Sequence, residues 1–158
     1  MDYARYITVY YFAVTLLYAL VVIGWNRIKE LLPISLISII VVGIVSLMGI
    51  NLRLFQYNVP FLDIFGIPLF HLLWAGIAGI VFIEYMKPRF SHNLLIVIYS
   101  TALIQGLAYV SELAGKFQRL GNYNYYYNAV LDFASLAIIL LLSESLYKFK
   151  IYKIKSLK

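Results

Sequence analysis

Apolar residues along this chain come in five long runs, broken only by isolated polar positions and separated by short polar stretches. Crossing the hydrocarbon core of a bilayer as a helix takes about 20 predominantly apolar residues. The runs at 6–25, 31–50, 64–85, 94–113 and 128–147 all reach that length. Asn26, Arg27, Ile28, Lys29 and Glu30 read as a tight polar turn between the first two. Pro33 and Pro68 stand near the starts of the second and third, where a missing N–H costs little. The pattern predicts an all-α integral membrane protein, a bundle of five transmembrane helices forming a single domain over 1–158, without internal repeat or low-complexity linker. The connection 51–63 is unusual in carrying Leu52, Leu54, Phe55, Val59, Pro60, Phe61 and Leu62. Such a segment suits the headgroup boundary, whereas re-entry into the core would require protein to shield its backbone. It is read as interfacial.

Composition supports lipid as the solvent of the exterior. Of 158 residues, 63% are hydrophobic and 13% charged, with a mean hydropathy of +0.86; soluble domains are roughly 45–50% apolar and about 25% charged. Cysteine is absent, which removes disulfides, thiolate metal sites and cysteine nucleophiles. The first run lacks a strongly basic leader and ends in Gly24-Trp25-Asn26-Arg27 without an A-x-A-like cleavage site, so it is read as a retained helix rather than a signal peptide.

The net charge of +6 changes the picture through its placement. Lys148, Lys150, Lys153, Lys155 and Lys158 make 148–158 a basic tail, suited to anionic lipid headgroups on the cytoplasmic side rather than to nucleic acid. Counted over alternate connections, Arg27, Lys29, Lys87, Arg89 and the tail lysines share one side. Arg5, Arg53, Lys116 and Arg119 share the other. The richer side is expected to be cytoplasmic, which puts the C-terminus inside and the N-terminus outside a plasma membrane. The five tail lysines decide that count.

Under this orientation several ionisable residues gather in the outer half of the bilayer: His71 one turn inside Pro68, Glu112 near the outer end of the fourth helix, and Asp132 in the first turns of the fifth. Each costs roughly 2.5–3.5 kcal/mol on insertion scales, so such groups face the bundle interior and find partners. Thr101, Gln105 and Glu112 share a face of the fourth helix, with Ala108 between them. Asn128, Asp132 and Ser135 share one on the fifth, and His71, Ala75 and Gly79 one on the third, where Ala75-xxx-Gly79 admits close helix approach. These faces are expected to meet, so that His71, Gln105, Glu112 and Asp132, flanked by Thr101 and Asn128, line one outward-opening polar pocket. A structural reading stands beside the functional one. Asp132 suits a helix N-terminus, Glu112 lies within snorkelling reach of the interface, and His71 can simply bond a neighbouring helix. No metal or other cofactor is expected, because a metal needs several convergent ligands and the second histidine, His92, falls in a solvated turn beside Lys87 and Arg89.

Tyrosine is over-used, at 15 residues. Tyr123, Tyr125, Tyr126 and Tyr127 crowd the connection before the fifth helix, Tyr3, Tyr6 and Tyr10 run down the first, and Tyr57 joins them on the outer side. An aromatic belt, with ring in lipid and hydroxyl in water, accounts for most of these. The functional alternative is a rim of Tyr57, Tyr123, Tyr125 and Tyr126 around the mouth of a site for a lipid or isoprenoid. Ser35, Ser38, Gly43, Ser46 and Gly49 on the second helix read as packing surface. No Gly-rich phosphate loop, nucleophile elbow, HExxH pair or P-loop is present.

Tyr57 and Pro60, then Asp63 and Pro68, Glu84-Tyr85-Met86-Lys87-Pro88, Glu112 and an aromatic connection before the fifth helix form a pattern over about residues 51–147. It resembles an uncharacterised family of short multi-pass membrane proteins from spore-forming Bacillota. The chain departs from that family with Leu62 where an aromatic residue precedes the aspartate, Glu84 in place of glutamine, and tyrosines where tryptophan is prominent. The resemblance implies a five-helix bundle in a bacterial plasma membrane and no particular activity. From the residues, the leading expectation is a non-enzymatic bundle that binds or helps move an amphipathic molecule. The alternatives are a membrane-embedded enzyme acting on a lipid-like substrate through Glu112, and an accessory subunit that docks, as an oligomer or on a partner, through the small-residue faces of helices two and three.

Overall fold

The computed structural model describes residues 6–58 and 62–147. Tyr3, Arg5, the Val59-Pro60-Phe61 part of the expected interfacial segment and the whole basic tail lie outside the described residues. Helix dominates. In chain order the elements are α1 (Ile7–Tyr18) continued by a π-helical turn (Ala19–Ile23), α2 (Trp25–Asn51), β1 (Phe55–Tyr57), β2 (Asp63–Ile64), β3 (Ile67–Pro68), α3 (Leu69–Glu84), α4 (Phe90–Leu113), β4 (Phe117–Arg119) and α5 (Tyr125–Tyr147).

Three of these helices, α2, α4 and α5, are long and apolar enough to cross a membrane. The other two expected spans are apolar but shorter. The third loses residues 64–68 to a β2–β3 hairpin, closed where the Asp63 carboxylate accepts the Gly66 N–H at 3.0 Å. The remaining α3 is about 24 Å long at a helical rise of about 1.5 Å per residue, against a hydrocarbon core of about 30 Å.

Helix starts also differ from the sequence reading, and side chains explain why. The stretch 26–30 is helical rather than a turn, so α2 begins at Trp25 and Pro33 falls inside it. Two of its charges pair within the fold: Arg27 bonds Glu30 one turn along at 2.9 Å and Glu84 at the end of α3 at 2.8 Å. The fourth helix starts at Phe90 rather than 94, with the Asn93 side chain accepting the Lys87 N–H at 2.9 Å. The fifth starts at Tyr125 rather than 128. Asn124 caps it, its side-chain oxygen accepting the N–H groups of Tyr126 at 3.0 Å and Tyr127 at 3.2 Å, as an N-cap residue does.

The connections are not purely coil. β1 and β4 form an antiparallel ribbon with Phe55 opposite Arg119, Gln56 opposite Gln118 and Tyr57 opposite Phe117. The two glutamines also bond through their side chains at 3.0 Å. Since β1 follows α2 and β4 follows α4, the ribbon ties the α2–α3 and α4–α5 connections together at one end of the bundle. The helices pack in the spatial order α1, α3, α2, α5, α4. Among the described residues no comparable packing joins α4 back to α1. The tightest contact is α2 on α3, where Gly76 and Gly79 face Ser35, Ser38 and Ile39, and a Cβ on Gly79 would collide with the Ser38 side chain. The small-residue faces considered as a docking surface are thus used inside the chain. Ile28, Leu31, Ile34, Ile80 and Ile83 form the core at the end away from the ribbon, and Phe55, Phe117 and Tyr123 a second cluster beneath it. Leu36, Ile40, Ile44, Leu95, Leu103 and Leu141 are exposed on the outer surface.

Candidate functional site

The open packing order leaves a cavity of about 150 Å³ lined by all five helices and roofed by the ribbon. Its lining is graded. At the ribbon end stand Tyr57, Asn58, His71, Lys116, Asn128 and Asp132; further down are Val42, Val45, Ile104, Leu136 and Ile139. Along α5 alone, from Asn128 to Ile139, this gradient runs over about 16 Å at the usual helical rise. A space of this volume is known to hold a benzene-sized apolar group without water.

Two hydrogen-bonded networks face the polar end. On one side, the Tyr57 hydroxyl lies 3.3 Å from His71 Nε2 and 3.5 Å from the Ser46 hydroxyl. The His71 ring packs against Tyr57 and Trp74, at centroid distances of 5.3 and 5.7 Å. On the other side, Asp132 Oδ2 accepts Gln105 Nε2 at 2.6 Å and Asn128 Nδ2 at 3.0 Å. Asn128 is turned that way because its own Oδ1 accepts the Tyr123 hydroxyl at 3.1 Å. Burial pushes the Tyr57 phenol up to about 12, the Ser46 hydrogen bond opposing that shift and the Asp132 carboxylate adding to it. Tyr123 is raised as well, first by burial and then by Asp132 and Tyr57, against the lowering influence of Arg119.

Between α1 and α4 the wall is thin. Ile7, Thr8 and Tyr11 of α1 face Ile104, Leu107, Ala108 and Ser111 of α4 across the cavity, and all are half-buried. Tyr11 bridges the seam: its hydroxyl donates to the Leu107 carbonyl at 3.2 Å and accepts from the Ser111 hydroxyl at 3.4 Å.

Of the residues singled out from sequence, His71, Asn128, Asp132 and Tyr57 line the cavity, and Gln105 stands behind Asp132. The others are elsewhere. Glu112 is held outside it by Arg119 and by the Tyr125 hydroxyl at 2.7 Å, with the Arg119 guanidinium stacked 3.6 Å over the Tyr125 ring. Thr101 is buried and donates back to the Val97 carbonyl at 2.9 Å, without lining the cavity. Tyr123 is a core residue under the ribbon rather than a rim, and Tyr125 and Tyr126 are exposed away from the mouth. His92 lies in the first turn of α4, its Nε2 3.0 Å from the Tyr85 carbonyl oxygen. Sequence reasoning missed Tyr11, Trp74, Phe55, Phe117 and Lys116. Trp74 was within reach, three residues after His71 on the same helical face.

Comparison of the chain with protein families, curated proteins and solved structures gives no match.

Proposed function

We propose that the protein is a five-span bundle of a plasma membrane that binds an amphipathic molecule, apolar chain down and polar group beneath the ribbon, and helps hold or move it within the bilayer. The carrying observation is the graded cavity, polar at one end and aliphatic below, behind the thin α1–α4 seam. A ligand of this kind is solvated by the membrane, and the seam offers its chain a sideways path in. The five-span topology draws support from the ribbon, which puts the α2–α3 and α4–α5 connections at one end, as alternating spans require. Short spans such as α3 are accommodated by local bilayer thinning. The lysine count would place the ribbon end outside the cell and the basic tail, with anionic lipid as its partner, in the cytoplasm. The resemblance read from the sequence would imply the same location. No observation favours the enzymatic alternative, because Glu112 is outside the cavity and engaged with Arg119.

Fluorescence tests the reading. The chain has two tryptophans; Trp74 lines the cavity and Trp25 is exposed at the far end of α2. In a Trp25→Phe variant in mild detergent, dodecanol brominated on its terminal carbon should quench Trp74 saturably. Ala108→Phe, which fills the lining, should abolish saturation. Linear quenching identical to that of Trp25 in a Trp74→Phe variant would refute binding in the cavity.

A further inference from the structure

The hydrogen bonds around Asp132 specify the polar group that the cavity takes, an inference that rests on the amphiphile-binding reading above. We propose that it is a primary ammonium: the ligand is an amine-headed amphiphile, and Asp132 is its counter-ion.

Asp132 lines the cavity, yet both of its hydrogen bonds come from neutral amides and fall on one oxygen, Oδ2. Among the described residues no donor is seen on its Oδ1, and no basic side chain forms an ion pair with it. A carboxylate at this depth is held at a cost of several kcal/mol unless a cation joins it. The surroundings are built to keep Asp132 an acceptor. Tyr123 holds Asn128 by its oxygen, so the Asn128 amide N–H can only point at Asp132. Gln105 turns its NH₂ the same way although this leaves its own Oε1 buried without a partner. The Asp132 carboxylate on the cavity wall wants donors, and an ammonium brings three.

The walls agree. Tyr11, Tyr57, Trp74, Phe55 and Phe117 line the same space, and aromatic faces attract a cation through the ring quadrupole. An anionic head would meet Asp132 as a like charge, and an alcohol offers a single donor with no charge to match. A phospholipid amine and a simple long-chain amine thus share the recognised group.

The test compares three probes with one brominated alkyl tail, ending in amine, alcohol or sulfate, titrated against Trp74 in the Trp25→Phe protein. The amine should bind about tenfold more tightly than the alcohol, the scale of a charged over a neutral hydrogen bond, and the sulfate more weakly than either. Asp132→Asn should bring the amine down to the alcohol's affinity, with the variant's denaturation midpoint in detergent reporting that it is folded. Equal affinity for amine and alcohol in the parent protein, or an amine preference that survives Asp132→Asn, overturns the ammonium assignment and leaves amphiphile binding standing. If no probe quenches saturably, the cavity reading itself fails. Should Asp132→Asn lose alcohol binding too, the ranking of the three probes on the parent protein decides. Phosphatidylethanolamine set against phosphatidylcholine in nanodiscs then separates a phospholipid source, which would exclude the brominated amine competitively, from a free amine, which would not be displaced.

Discussion

Tyr57 shows how far a single half-buried side chain is committed to the folded state. Its hydroxyl is shared by His71 and Ser46, its ring packs edge-on to Phe55 at 5.8 Å, and burial raises its pKa from 10.0 to about 12. The neutral phenol is the form the fold prefers, so its stabilisation is complete below the unfolded pKa. It is lost as pH climbs from about 10 to about 12, a total of about 2–3 kcal/mol if the whole shift is expressed. Tyr123 acts in the same direction. The detergent-solubilised protein should therefore hold a constant denaturation midpoint from neutral pH to about pH 9.5 and then fall steeply. Tyr57→Phe, which cannot ionise, should flatten part of that fall while lowering the neutral-pH midpoint through the lost hydrogen bond. An alkaline limb of unchanged slope in Tyr57→Phe would show that this phenol is not held neutral by the fold. Residue-level chemistry was half legible from sequence. A polar side chain at membrane depth must turn inward, and that rule picked out His71, Gln105, Asn128 and Asp132. It misplaced Glu112 because the deciding partner, Arg119, lies beyond the helix end and draws the carboxylate away from the cavity.

At the scale of elements, steric fit and capping make two separate claims. Gly79 lies where α3 meets α2 so closely that a methyl would strike Ser38, whereas a methyl on Gly106 of α4 would meet nothing within 4 Å. Gly79→Ala should lower stability by about 1–3 kcal/mol, the usual consequence of overpacking. Gly106→Ala should leave it unchanged or raise it by up to about 1 kcal/mol through helix propensity. Unfolding in a graded anionic/non-ionic detergent series measures both, and equal effects would mean that the α2–α3 contact is looser than described. Asn124→Ala removes the cap of α5 and should cost about 1 kcal/mol, with proteolysis or amide exchange rising in 125–128 first. These same elements explain what sequence could and could not say. Long apolar runs announced the helices, but Asn124, Asn93 and the Arg27–Glu84 pair, not hydropathy, decided where three of the five begin. The ribbon was hidden because its strands are only three residues each and are paired across more than sixty positions of chain. No local pattern at residues 51–63 reveals such a partner.

For the whole molecule the question is how anything reaches the cavity, and interface strength answers it. The α2–α3 contact is glycine against serine, backbone close to backbone, and cannot part without loss of much packing. The ribbon end is locked by the paired strands and by Phe55, Phe117 and Tyr123 beneath them. The seam between α1 and α4 has no such packing and is bridged by the two hydrogen bonds of Tyr11, each contributing about 1 kcal/mol net. It should open first. The absence of cysteine makes this directly testable, since Tyr11→Cys with Ser111→Cys introduces the only reactive thiols. Bridging them with a short bis-maleimide should slow transfer of the brominated alcohol from vesicles to Trp74 by at least about tenfold, equivalent to barring an opening of about 1.4 kcal/mol or more. The same reagent on either single variant should leave the transfer rate unchanged. Unaltered transfer in the bridged protein would mean that ligands enter past the ribbon, from the aqueous side, and the seam would then be a fixed wall.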